Sequence, residues 1–475
     1  YASNSALKAE NAIDLSLSWA ISYGKGVSKP HSYPALSAQT LFVGNENGEL
    51  YALDRSTGCQ RWVLEADGDI RTAIELVATE DGGGTLYFGT MSGAVYAVDA
   101  LKGKILWRKM VNEHRFGLIT GTPAFHEDTL YVPLSSYEMM VAAMPLYSCC
   151  TFRGGVVALN ALTGEPRWTY KTIKEPAVKQ SRTWMGVARH GPSGAPVWSK
   201  PTIDKDLGLL FIGTGENYTA PTTARSDAII AVDLYTGEEV WHRQFQAKDA
   251  WNLSCEMMVK TNCPKENGPD HDFGAPPVVV EINGKKIVYG AQKSGGVYAM
   301  DAQTGSLLWQ KQIGRGGKLG GVHWGIAYDP QKQYLYVPVS DRSSVVMGTS
   351  AEGAKPGVYA LNALSGDTVW KYSDGASCKN KKDCHIGFSA ALTAANNVVV
   401  ATTLSGGLYV LRSDTGALIW HFDTWGTFAA GDDKAAEGGA IDIHGAKLEG
   451  RQLIVSSGYG SFGQKGGNAL LVFDF

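Results

Sequence analysis

The stretch Val297–Trp309, VYAMDAQTGSLLW, recurs along the chain, and a chain made of one recurring β unit is restricted to an array of such units. Its form is AxDxxTGxxxW: an apolar strand with Ala299 inside, Asp301 at the strand end, a Thr304-Gly305 turn, and a second strand closing on Trp309. Copies with the same spacing stand at Ala52–Trp62, Ala97–Trp107, Ala158–Trp168, Ala231–Trp241, Ala360–Trp370 and Val410–Trp420, with Lys102, Asn160, Asn362, Ser365 and Arg412 as substitutions. The chain stops on a first half, Val472-Phe473-Asp474-Phe475, and Asp14–Trp19 supplies a second half near its start. Seven whole units and one split between the ends make eight. The expectation is an all-β, eight-bladed β-propeller, one domain over residues 1–475. Its tryptophans dock between blades, and pairing of the N- and C-terminal strands closes the ring and removes exposed sheet edges.

Composition agrees with that reading: 57 glycines and 18 prolines suit many tight turns, and 44% hydrophobic residues can fill a large core. A formal charge of −3 leaves no electrostatic footprint for nucleic acid or anionic lipid. No apolar run reaches the roughly 18–20 residues of a membrane span, and Tyr1 does not begin a signal peptide. Seven cysteines fall into three sequence-local pairs, Cys149-Cys150, Cys255 with Cys263 and Cys378 with Cys384, leaving Cys59 over. That usage fits an oxidising compartment, so the expected location is periplasmic or secreted, as a mature chain whose signal has been removed. No CxxCH haem motif occurs, so any electrons must leave on another molecule.

Repeat tryptophans are spaced widely enough for four-stranded blades of roughly 40–45 residues, and the excess marks insertions. These are Met139–Thr151, Lys171–Pro196 and Arg243–Pro276, expected to build a rim over one end of the channel. Met139, Met140, Val141, Met144, Trp184 and Trp251 suggest an apolar lip there, suited to bulky or varied ligands if these side chains do not simply pack the insertions down.

Four features stand where the repeat does not require them. Glu138 ends Ser135-Ser136-Tyr137-Glu138 immediately after a strand, Glu216-Asn217 follows Gly213-Thr214-Gly215, Asp270 and Asp272 bracket His271, and Trp198 lies away from any repeat position. Singly, such acids and amides also serve as turn caps at blade tips. Occurring together in consecutive blades, they point to a site for a hard, oxygen-seeking cation. Gly314-Arg315-Gly316-Gly317 does not sit between strand and helix, which argues against a phosphate loop, and the ten histidines show no zinc spacing. Lys379–Lys382 reads as a solvated basic patch, with acceptor docking as the alternative.

The eightfold repeat resembles that of the pyrroloquinoline quinone (PQQ) alcohol dehydrogenases, though an outer-membrane assembly lipoprotein propeller shares it without a cofactor. More telling are SCCTFRGGVVALNALTG, GPSGAPVWSKPTID, NCPKENGPDHDFGAPP and QKSGGVYAMDAQTG, which are similar to polyvinyl-alcohol dehydrogenase and its relatives without their cytochrome c domain. The resemblance implies PQQ and calcium as cofactors. It implies Glu138, Asp272 and either Glu216 or Asn217 as metal ligands, Asn217 slightly preferred. Asp272 is the implied base, and Lys293 contacts the quinone carbonyl. Gly274 stands where lanthanide-dependent relatives carry a further aspartate, which favours calcium. Trp198 would stack beneath the quinone and a Cys149–Cys150 disulfide would cover its other face. Arg71 and Thr120 match positions that bind cofactor carboxylates. His323-Trp324 aligns with a channel-lining pair, His323 being a departure from the family's asparagine. The implied activity is oxidation of secondary alcohols, polyvinyl alcohol or a related polyol, with electrons passed to an external acceptor such as cytochrome c. A non-catalytic scaffold propeller, and a PQQ dehydrogenase of a hydroxylated natural product or toxin, are the rival expectations.

Overall fold

The computed structural model describes residues 4–79, 83–342, 352–375, 378–382, 384–431 and 435–475. Each repeat forms the two outer strands of one antiparallel sheet, and the reason is local. In Ala299↔Trp309 the small residue lies opposite the large ring, and a bulge follows between Ala299 and Met300. The same pairing and shift occur at Ala52↔Trp62, Ala97↔Trp107 and Ala231↔Trp241. Asp301 Oδ1 accepts from the Gln303 and Thr304 amides and caps the turn between the strands. Where Arg412 replaces aspartate, its guanidinium pairs with Asp414 instead.

The tryptophan then docks on the next unit. Trp241 Nε1 donates to Ala302 O, and its ring lies where a Cβ on Gly305 would be, 2.6 Å away. Gly305 also has φ +69°, so this turn requires glycine twice over. Trp19, Trp107, Trp309 and Trp370 make the corresponding bonds to Arg55, Ala161, Ala363 and Ser413 carbonyls.

Eight blade sheets result among the described residues, seven of four strands and one of five. Their innermost strands begin at Ala35–Leu36, Glu75–Ala78, Ala124–His126, Thr202–Asp204, Val278–Ile282, Ala327–Asp329, Thr393–Ala395 and Lys447–Glu449. The eighth blade takes its outermost strand from the other end of the chain: Ser16–Ser22 pairs antiparallel with Ala469–Asp474. The ring is therefore an eight-bladed propeller closed as its sequence implied. Apolar clusters fill the seams, as with Tyr336, Ala360, Phe388, Val399 and Tyr409 between the sixth and seventh blades.

The three insertions pack into one cap. Asn262 Nδ2 donates to the Ala142 and Tyr147 carbonyls at 3.1 Å, the His190 amide to Cys149 O at 2.7 Å, and Asn252 Nδ2 to Tyr218 O at 2.9 Å. Disulfides join Cys149–Cys150, Cys255–Cys263 and Cys378–Cys384, and Cys59 is free and exposed. Among the described residues no helix is long and apolar enough to cross a membrane.

Candidate active site

Residues just ahead of the innermost strands line the axis. Arg71 precedes Glu75–Ala78, Thr120 precedes Ala124–His126, Trp198 precedes Thr202–Asp204, Gly274 precedes Val278–Ile282 and His323 precedes Ala327–Asp329, at one common offset in five successive blades. A repeat architecture converts that offset into a ring of side chains at one level. Arg71, Thr120, Trp198, Gly274 and Trp324 line a single cavity of about 570 Å³. The Trp198 and Trp324 rings meet edge to face at 5.1 Å, the Arg71 guanidinium lies 5.0 Å from the Trp324 ring centre, and His323 stacks on Trp324 at 4.4 Å. Burial, with Lys293 adding to it, pushes the His323 imidazole well below its usual range, so it is neutral.

Beside this cavity, blades four and five bring acids together. Glu216 follows the strand Leu209–Gly213, Lys293 follows Lys285–Ala291, and Asp272 lies in the loop before Val278–Ile282. Oxygens of Glu216, Asp270 and Asp272 lie within 4.8 Å of one another, all three residues being buried. Lys293 Nζ donates to Asp272 Oδ2 at 2.7 Å and Asp270 Oδ1 at 3.0 Å, and stands 5.3 Å from the Trp198 ring centre. The Glu216 amide donates to Asp272 Oδ1 at 2.9 Å.

These contacts push the acids apart. Burial raises the Asp272 carboxyl, but Lys293 and the Glu216 hydrogen bond outweigh it and hold it below its ordinary value. Glu216 and Asp270 are pushed well above theirs, by burial first and then, for Glu216, by the negative charge of its neighbours. Burial alone would lower Lys293, yet Asp270 and Asp272 raise it, so it stays charged.

Asp270 was singled out in the sequence with Asp272 as part of a possible cation site, but the resemblance gave it no ligand role. Its φ of +60° turns it toward the group, and Asp249 holds that turn by accepting the Asp270 and His271 amides at 3.2 and 3.0 Å. Asp249 had no sequence signal: it reaches the loop only through the fold.

Four residues expected at the site, Glu138, Asn217, Cys149 and Cys150, stand apart from the acid group. Glu138 is fully buried, but its carboxylate accepts the Thr151 and Phe152 amides and the Tyr147 hydroxyl, and it is not within the acid trio. The insertion between Glu138 and Thr151 folds back on the carboxylate, whose oxygens are met by two backbone amides and a tyrosine hydroxyl. The Asn217 side chain accepts from the Thr223 amide and donates to Ser193 O, while its neighbour Glu216 belongs to the acid trio. The Cys149–Cys150 disulfide forms, but it packs with Phe152 and Tyr218 and does not line the cavity bordered by Trp198.

A flat, polyanionic quinone finds fitting surfaces here. The Trp324 indole N–H and the Ser199 hydroxyl, both on cavity-lining residues, are buried without hydrogen-bond partners among the described residues. Together with the Arg71 guanidinium they offer donors to carboxylates, and Trp198 offers an aromatic surface. The acid trio offers the oxygen donors that a hard cation takes.

A propeller carrying an axial aromatic cavity beside a buried acidic group is the architecture of a quinoprotein dehydrogenase. The chain belongs to the PQQ-dependent alcohol dehydrogenase family. The glucose/ethanol/alcohol dehydrogenase β-propeller domain matches residues 1–312, and the outer membrane protein assembly factor BamB family matches residues 225–464. The chain is 34% identical to a polyvinylalcohol dehydrogenase of Pseudomonas sp. over 99% of its own length and 74% of the relative's. It is 33% identical to that of Sphingopyxis sp. strain 113P3, over 96% and 70%. Among solved structures, quinohemoprotein alcohol dehydrogenase ADHIIG of Pseudomonas putida HK5 shares the fold, with a TM-score of 0.72, 17% identity, and coverage of 100% of this chain and 78% of that one.

Proposed function

We propose that this protein oxidises secondary alcohol groups of bulky or polymeric substrates, using PQQ and calcium and delivering electrons to an external acceptor such as cytochrome c. The observation carrying this reading is a buried carboxylate held ionised by a lysine, at the edge of an aromatic cavity with unspent donors. Asp272 is suited to take the hydroxyl proton of an alcohol as general base, because Lys293 keeps it charged. Lys293 also sets its own positive charge near Trp198, where a reacting carbonyl would stack. Arg71, Thr120, Ser199 and Trp324 would hold the cofactor edge, and Glu216, Asp270 and Asp272 the cation. The quinone supplies the two-electron acceptor, and the cation the Lewis acidity, that no side chain here provides.

The cap favours a large substrate. Met144, Leu146, Trp184 and Met258 are 55%, 71%, 77% and 100% exposed on it, a rim that a hydrocarbon chain can cover. Trp251, expected on that lip, is buried and packs the insertion instead. The names of the two relatives support a polymeric alcohol, and the disulfides support a periplasmic or secreted location. Repeat likeness to BamB accounts for the blades alone and leaves the buried acids without purpose.

The test is reconstitution with PQQ and calcium chloride, followed by dye reduction with polyvinyl alcohol, 2-propanol, ethanol and a hydroxylated polycyclic compound. The polymer and 2-propanol are expected to turn over faster than ethanol. Absence of dye reduction with every alcohol sinks the proposal, and a preference for the polycyclic compound moves the substrate to a natural product.

A further inference from the structure

A second cavity, of about 400 Å³, opens at the seam between the outer strands Ile105–Met110 of the second blade and Pro166–Lys171 of the third. Its walls carry Lys109, His114, Arg153 and Lys171 against one carboxylate, Glu113. Lys109 is paired with Glu165 Oε1 at 3.1 Å. Arg153 spends one nitrogen on the carbonyls of Ile173 and Lys174, at 3.3 and 2.7 Å, and forms no ion pair with a carboxylate among the described residues. Lys171 forms none there either. Burial, with the charge of Arg153 adding to it, brings its ammonium down to about 8. Two like charges thus share a partly desolvated hollow in which neither is ion-paired among the described residues, an arrangement that a bound anion relieves.

We propose that this seam is a binding site for a small multivalent oxyanion of the phosphate class, held between Arg153 and Lys171. The site is independent of the alcohol-oxidation reading. It has a structural line inward: His114, on the cavity wall, lies 3.1 Å from Thr151 Oγ1 and 3.7 Å from Glu138 Oε1. Glu138 in turn holds the Thr151 and Phe152 amides that follow the vicinal disulfide. A bound anion therefore ties the two blades together where the first insertion is anchored.

Calorimetric titration of the full chain with inorganic phosphate in a chloride buffer is expected to show one saturable site, with the thermal midpoint rising as phosphate is added. Lys171→Met and Arg153→Met should each weaken binding at least tenfold, while Lys171→Arg, which keeps the charge, and the remote Lys205→Met should retain it. No saturable binding to the unaltered protein, or an unchanged affinity in Arg153→Met, overturns the assignment. Having both the charge-keeping variant and the second cation keeps the test decisive if Lys171→Met fails to fold.

Discussion

At the scale of single residues, the acid group separates roles that a motif leaves merged. Asp272 and Glu216 both lie on strand-flanking loops and both are buried, yet only Asp272 combines a direct lysine bond with a backbone donor. Asp272→Asn is expected to lower turnover by roughly 10³-fold or more. The quinone should remain bound, as read by its absorbance after gel filtration; retained turnover would remove Asp272 as base. Glu216→Gln should strip bound calcium during dialysis, measured by metal analysis, whereas Glu138→Gln should keep it. Glu138→Ala should instead cost about 1–3 kcal/mol of stability in urea unfolding, since it orphans the Thr151 and Phe152 amides. Calcium loss from Glu138→Gln equal to that from Glu216→Gln would return Glu138 to the ligand set.

Between elements, the tryptophan dock and one charged staple hold neighbouring blades. Trp241→Ala is expected to cost about 3 kcal/mol, the low end for such a ring because it is part exposed, and Gly305→Ala to be destabilising through both φ and the ring contact. Thermal melts of the two variants measure this, and an unshifted midpoint in both would deny the dock its role. The staple is Glu239 in the fourth blade, which accepts from Arg225 and from Tyr170 of the third. Burial pushes its carboxyl up, but those bonds bring it down to about 2 from 4.5. Because the folded value is depressed, its stabilisation is full above pH 4.5 and is lost as pH falls toward 2. Glu239→Gln should therefore be less stable by about 2 kcal/mol at pH 7, with the difference from the unaltered protein shrinking in melts taken between pH 4.5 and 3. A gap independent of pH would mean that packing, and not charge, accounts for it.

For the whole molecule, closure depends on one strand from the far end of the chain. Removing residues 1–22 deletes Ser16–Ser22 and bares Ala469–Asp474 as an edge. The truncated chain is expected to associate on size-exclusion chromatography and melt at lower temperature; a monomer with an unchanged midpoint would show the closing strand to be dispensable. The blades, their number and this closure were legible in the linear order because the repeat is local: alanine opposite tryptophan, an aspartate cap and a glycine turn act within a dozen residues or so. Asp272 and Trp198 were also visible, each standing where the repeat makes no demand, whereas Lys293 and Arg71 were indicated only by the family resemblance. What only the tertiary structure decided was orientation. Glu138 is drawn to backbone amides by the insertion that follows it, Asn217 turns to Thr223, and Asp270 enters the acid group through a left-handed turn held by Asp249 from another loop. Periodicity specifies which strands pair, whereas the direction of a buried carboxylate depends on which donors the folded chain brings to it, and those donors lie far away in sequence.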